Sequence, residues 1–145
     1  MSLIGLGIDL VDLDRVRRML ERKGRFATGR LFTVQERAYL ESRPDPTGHA
    51  AARIAAKEAV YKAMQSLPGA RAIGWRDIEV TRDGDGRPAI RLHGLAERLA
   101  AAQGGVAIQV SLTHSSTLAG AVAVVSTTAA VSPAPPAPSS PARPT

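Results

Sequence analysis

The sequence predicts an α+β domain in which a small, largely antiparallel sheet packs with helices. Three observations predict it. Apolar runs of strand length stand near both ends of the folded part, at residues 2–8, 106–112 and 118–125. Segments of helical period fill much of the space between them. Strands and helices do not alternate in the regular β-α-β order that a parallel sheet requires.

The first run, S-L-I-G-L-G-I, is a strand that ends at Asp9. From Asp12 the spacing of Leu13, Val16, Met19 and Leu20 predicts a helix, and Gly24 is its expected stop. Thr33 and Glu36 form a capping box that opens a second helix. Pro44 and Pro46 mark a loop. A third helix is expected over residues 49–65, closed by Pro68-Gly69. Strands at 77–81 and 89–92 flank the turn D-G-D-G-R-P, and residues 94–103 read as a helix. The two final strands are separated by T-H-S-S-T.

A chain of 145 residues is long enough for one domain with a real core. The last 19 residues hold six of the ten prolines and a single charge, too few side chains to repay the entropy of ordering. The expected division is a folded domain at 1–126 and a disordered Pro/Ala/Ser-rich tail at 127–145. There are no cysteines, which excludes disulfides and thiolate metal sites and fits the cytoplasm. No apolar run reaches membrane-spanning length and no secretory leader opens the chain, so no membrane association is expected.

The net charge of +6 calls for an acidic partner. Only five residues are aromatic, so the stacking platform of a single-strand binder is missing and nucleic acid is not the expected partner. An acidic protein or a phosphate-rich small molecule fits at least as well.

Gly5-Leu6-Gly7 lacks the third glycine of a dinucleotide-binding turn, since Leu10 stands there. That leaves Asp9, a carboxylate at the end of an apolar strand, either a site residue or a helix-capping one. In I-A-A-K-E-A-V-Y-K-A-M, residues 54–64, two of the chain's three lysines surround Glu58. Glu58 and Lys62 share a helix face, and a plain surface ion pair is the simplest reading of that spacing. The alanines around them make a thin helix that other groups can approach closely. Arg53 and Lys57 add cations beside the carboxylate. One carboxylate among cations suits a divalent metal that shares its oxygens with phosphates, and magnesium takes one or two carboxylates for that purpose. Asp9 is the natural second carboxylate.

Six blocks in order resemble holo-[acyl-carrier-protein] synthase, the small bacterial branch of the 4′-phosphopantetheinyl transferases. They are G-I-D-L-V-D-L-D-R at residues 7–15, F-T at 32–33, R-I-A-A-K-E-A-V-Y-K-A at 53–63, W-R-D-I-E-V at 75–80, D-G-R-P at 85–88 and S-L-T-H at 111–114. The likeness covers about residues 3–125.

The resemblance implies a 4′-phosphopantetheinyl transferase-like fold and the transfer of 4′-phosphopantetheine from coenzyme A to a serine of apo acyl carrier protein. Adenosine 3′,5′-bisphosphate would be released, within lipid and fatty acid biosynthesis. Asp9 and Glu58 would hold Mg²⁺ against the pyrophosphate, and Lys57 and Lys62 would stand with them as metal and phosphate residues. Asp9, Glu58 and Lys62 would form the catalytic set. The serine proton would pass to Glu58 or to a metal-bound water, and the sequence does not choose between them. Arg53, Gly86, Arg87, Pro88 and His114 would bind coenzyme A. The family commonly carries asparagine near Asp85, which weakens any Asp85 contact to the adenosine. His114 would face coenzyme A bound by a neighbouring subunit, because the family is commonly a homotrimer. The basic stripe Arg15, Arg18 and Arg22 would dock the acidic carrier protein; without a partner it is a solvated helix face. A non-catalytic nucleic-acid module and a synthase that binds coenzyme A without transfer are the competing functions. The Asp9/Glu58 pair argues against the first, since carboxylates repel nucleic acid unless a metal intervenes.

Overall fold

The computed structural model describes residues 1–128. It is an α+β fold built from β1 (Leu3–Asp12), α1 (Leu13–Leu31), α2 (Val34–Glu41), α3 (Thr47–Ala63), β2 (Ile78–Arg82), β3 (Pro88–Leu92), α4 (Gly94–Ala102), β4 (Val106–His114) and β5 (Leu118–Thr127). A three-stranded sheet has the order β1-β5-β4, and β2 and β3 form a separate hairpin; every pairing is antiparallel. Pairing of β5 carries through Thr127, and Thr128 N donates to Gly105 O. The rest of the expected tail lies outside the described residues.

Two boundaries differ from the sequence reading for clear physical reasons. β1 does not end at Asp9 but continues to Asp12, because β5 pairs with it as far as Leu118. The Asp12 carboxylate then caps α1, accepting from Asp14 N at 2.9 Å and Arg15 N at 3.3 Å. Gly24 does not stop α1 either. It adopts φ 43° and ψ −121°, a conformation open to glycine, and the helix resumes beyond the kink as far as Leu31. Phe32, fully buried, follows directly.

The sheet lies on α3. Gly5 and Gly7 face that helix, where a Cβ would fall on the carbonyls of Ala63 and Ala59. The Gly-Leu-Gly of the sequence is therefore a packing device: it brings strand backbone against helix backbone. Ala55, Ala56, Ala59, Val60, Ala63 and Met64 join Ala121, Ala123 and Val125 in the core. Since side chains alternate along a strand, Gly5, Gly7 and Asp9 share the face toward α3. Leu6, Ile8 and Leu10 take the opposite face and are 63%, 66% and 66% exposed. Opposite them on β5 stand Val124, Val122 and Gly120.

Candidate active site

Two elements meet at the site. β1 delivers Asp9 and α3 delivers Glu58 and Lys62, and their glycine–alanine contact holds them in register. Two bonds pin this register. Ser66 Oγ donates to Ile4 O at 3.0 Å, and Lys62 Nζ donates to Ile8 O at 2.9 Å. Lys62 Nζ also reaches Asp9 Oδ1 at 3.1 Å. The Lys62 side chain is 49% exposed and that of Asp9 19%. Glu58 is half-buried. Burial first, then the charge of Asp9, holds its carboxyl above the usual carboxylate range, with Lys62 pulling the other way. The two carboxylates and the ammonium thus sit in each other's field.

These are hard oxygen donors of the kind Mg²⁺ prefers. Among the described residues no group of three or more His, Cys, Asp or Glu converges on a metal position. A cation here would draw its remaining ligands from substrate oxygens and water, which suits magnesium and not structural zinc.

Lys57 corrects the sequence reading. It does not face the phosphate side but points inward, at 1% side-chain exposure beside a Glu36 at 0%. Its ammonium donates to Glu36 Oε1 at 2.6 Å, to Trp75 O at 2.9 Å and to Ile78 O. Three protons meet three acceptors, the condition under which a buried charge is tolerated. Burial lowers the Lys57 pKa, with Glu36 opposing the shift. Glu36 keeps the capping role with Thr33, accepting from Thr33 N at 3.0 Å, and its Oε2 also accepts from Val80 N at 3.1 Å. The sequence revealed the cap but not the pair, because 21 residues separate Glu36 from Lys57.

Arg53, Arg87, Pro88 and His114 line one cavity of about 1050 Å³. Arg53 is buried, donates to His49 O at 3.3 Å and stacks over Tyr39 at 4.1 Å. Arg43 at 4.6 Å and Arg82 at 5.7 Å share that ring. This arginine cluster was not legible in the sequence, since no local spacing links its members. Burial first, then the charges of Arg53, Arg43 and Arg82, lowers the His49 pKa, and along the cavity wall Arg17, Arg53, Arg82 and Arg87 outnumber Asp45 and Asp83. Gly86, at φ 77°, sits in the tight β2–β3 turn, and its carbonyl accepts from Arg82 at 2.8 Å. Asp85 is exposed in the same turn.

Asp9, Glu58 and Lys62 are not among the residues lining this cavity, which opens on a different side of α3. One chain therefore holds the carboxylate cluster and the arginine cavity apart. Glu58 instead borders a smaller apolar hollow of about 280 Å³ with Tyr61, Ile73 and Trp75. On α1, Arg15, Arg18 and Arg22 are all exposed, while Arg17 pairs with Asp14 at 2.8 Å.

Comparison with known proteins matches residues 5–114 to the 4′-phosphopantetheinyl transferase superfamily. The chain is 44% identical over 119 residues to the holo-[acyl-carrier-protein] synthase of Moorella thermoacetica, covering 82% of this chain and 91% of that one. The acyl carrier protein synthase structure from Mycobacterium tuberculosis is 38% identical, with a TM-score of 0.65, over 87% of this chain and 99% of that one. The Bacillus anthracis holo-(acyl-carrier-protein) synthase, solved in complex with CoA (3′,5′-ADP), is 28% identical. It superposes with a TM-score of 0.71 over 88% of this chain and all of its own.

Proposed function

The chain belongs to the 4′-phosphopantetheinyl transferase superfamily, in its holo-[acyl-carrier-protein] synthase branch, and we propose that it transfers 4′-phosphopantetheine from coenzyme A to a serine of an apo acyl carrier protein. The reaction depends on Mg²⁺, releases adenosine 3′,5′-bisphosphate and runs in the cytoplasm. The observation that carries this reading is the meeting of Asp9, Glu58 and Lys62 at the β1–α3 contact.

The chemistry follows from those groups. The serine Oγ attacks the pantetheine-side phosphorus of coenzyme A, forming one P–O bond. The P–O bond to the adenosine-side phosphate breaks, and the bisphosphate leaves with the electron pair. Bound between Asp9 and Glu58, magnesium would polarise the phosphoryl group and offset charge on the leaving phosphate. Lys62 contributes a mobile point charge to the same oxygens. The serine proton passes to Glu58 or to water at the site. Burial and the charge of Asp9 hold the Glu58 carboxyl above the usual carboxylate range, the direction that favours proton uptake there.

The nucleotide end of coenzyme A falls to Arg53, Gly86, Arg87, Pro88 and His114. The proposal includes a homotrimer in which that cavity of one subunit completes the carboxylate cluster of the next. Two observations support it: the separation of the two halves within one chain, and the apolar outer face at Leu6, Ile8 and Leu10. Arg15, Arg18 and Arg22 form the docking surface for an acidic carrier protein.

The test is the mass of an apo carrier protein after incubation with this protein, coenzyme A and Mg²⁺. A gain of one phosphopantetheine on the carrier serine is expected. An unchanged mass with folded protein would overturn the assignment.

A further inference from the structure

Lys62 has a second property that bears on how the metal ion and coenzyme A assemble at the cluster, and it rests on the reaction proposed above. Its ammonium is engaged twice in the folded chain, by Asp9 Oδ1 at 3.1 Å and by Ile8 O at 2.9 Å. Half the side chain remains exposed, so this engagement is reversible on a side-chain timescale. Asp9 is the more covered partner, and its charge also raises the pKa of Glu58. Without Lys62, the charge of Asp9 would act on Glu58 without the opposing pull of the ammonium.

We propose that Lys62 is an exchangeable partner of Asp9: the ammonium holds the carboxylate until a pyrophosphate draws it away, so that a divalent cation and coenzyme A bind with positive coupling. A divalent cation on Asp9 and an ammonium 3.1 Å from its oxygen repel each other at short range. The cation alone must therefore displace Lys62 into water. When pyrophosphate oxygens are present, the flexible four-carbon stem can carry the ammonium to them and the displacement is compensated. Each ligand then raises the affinity for the other by the same factor, because linkage is reciprocal.

The experiment is a titration of the full chain with Mn²⁺ as a magnesium probe, by calorimetry and by the spin-resonance signal of free Mn²⁺. It is run with and without coenzyme A, on the parent and on Lys62→Met. Circular dichroism establishes that both fold. Loss of an exposed ion pair corresponds to about two- to fivefold in affinity. Lys62→Met should bind Mn²⁺ alone about two- to fivefold tighter, with no tightening when coenzyme A is present, so that the coupling factor shrinks. Equal tightening with and without coenzyme A would mean that Lys62 only repels the cation through space, and would overturn the exchange. So would unchanged or weaker binding of Mn²⁺ alone. Asp9→Asn separates this inference from the reaction it rests on. Loss of Mn²⁺ binding there keeps the metal site however Lys62→Met behaves. Retained binding overturns the metal site and the exchange together.

Discussion

Two lysine–carboxylate pairs stand five residues apart on α3 and behave as opposites. Lys57 and Glu36 are sealed from water, 2.6 Å apart, with every lysine proton in use. Lys62 and Asp9 are 3.1 Å apart in a half-exposed setting. The same two chemical groups thus make a structural bolt in one place and a movable contact in the other. Burial decides which. A sealed pair loses several kcal/mol when one partner is removed, while a wet pair contributes about 0–1 kcal/mol.

The largest expected effect tests the bolt. Lys57→Met should destabilise the fold by about 3–5 kcal/mol, because it leaves Glu36 charged and unpaired in the core. Urea unfolding measures this, and Lys57→Met combined with Glu36→Leu should recover part of the loss. A destabilisation below about 1 kcal/mol would erase the distinction between the pairs.

Next in size is the chemistry of the open pair. Asp9→Ala should lower turnover about 10²–10³-fold, the range for losing one group that stabilises transition-state charge. Its melting temperature should stay near that of the parent. A folded Asp9→Ala protein working at the parent rate would remove Asp9 from the site.

A third kind of cation would sharpen the contrast, one whose proposed partner is another molecule. Arg15→Glu should raise the Michaelis constant for carrier protein about tenfold at low salt and leave that for coenzyme A unchanged. The difference should fade as salt rises. Equal damage to both constants would assign Arg15 to the coenzyme A pocket.

The smallest effects are on stability at the open pair. Lys62→Met should cost less than about 1 kcal/mol. Glu58→Gln should melt slightly above the parent at neutral pH. Because the folded Glu58 pKa is raised, ionisation weighs against the folded state from the unfolded value upward, and the full penalty stands once the pH passes the raised value. Below the unfolded value of about 4.3 both states are protonated and the advantage should vanish. A melting curve at each pH reads this sign directly.

The residue pattern disclosed much of this molecule and concealed specific parts of it. Asp9 and the Glu58–Lys62 spacing were legible because strand and helix periods are local properties. The inward turn of Lys57 was not, because alanine on nearly every side of α3 removes the hydrophobic stripe that normally tells a helix's inside from its outside. Glu36, the acceptor that allows a lysine to be buried, lies on another element. The Gly24 kink was read as a stop because glycine favours both, and only the packing of Val16, Phe32 and Ala51 in one core shows why the helix goes on. The arginines around Tyr39 come from α3, β2 and the loop after α2, and have no sequence signature at all.

The backbone contact between β1 and α3 has a consequence for how this enzyme tolerates change. Where carbonyls of one element touch the Cα atoms of another, no side chain lies between them to be resized. The spacing between Asp9 and Glu58 is then inherited from main-chain geometry, and core residues elsewhere are free to drift without retuning it. The constraint is concentrated in Gly5 and Gly7, which have no side chain and carry no charge. A saturation library scored for activity should show them as intolerant as the carboxylates, silent residues that act as the ruler of the site.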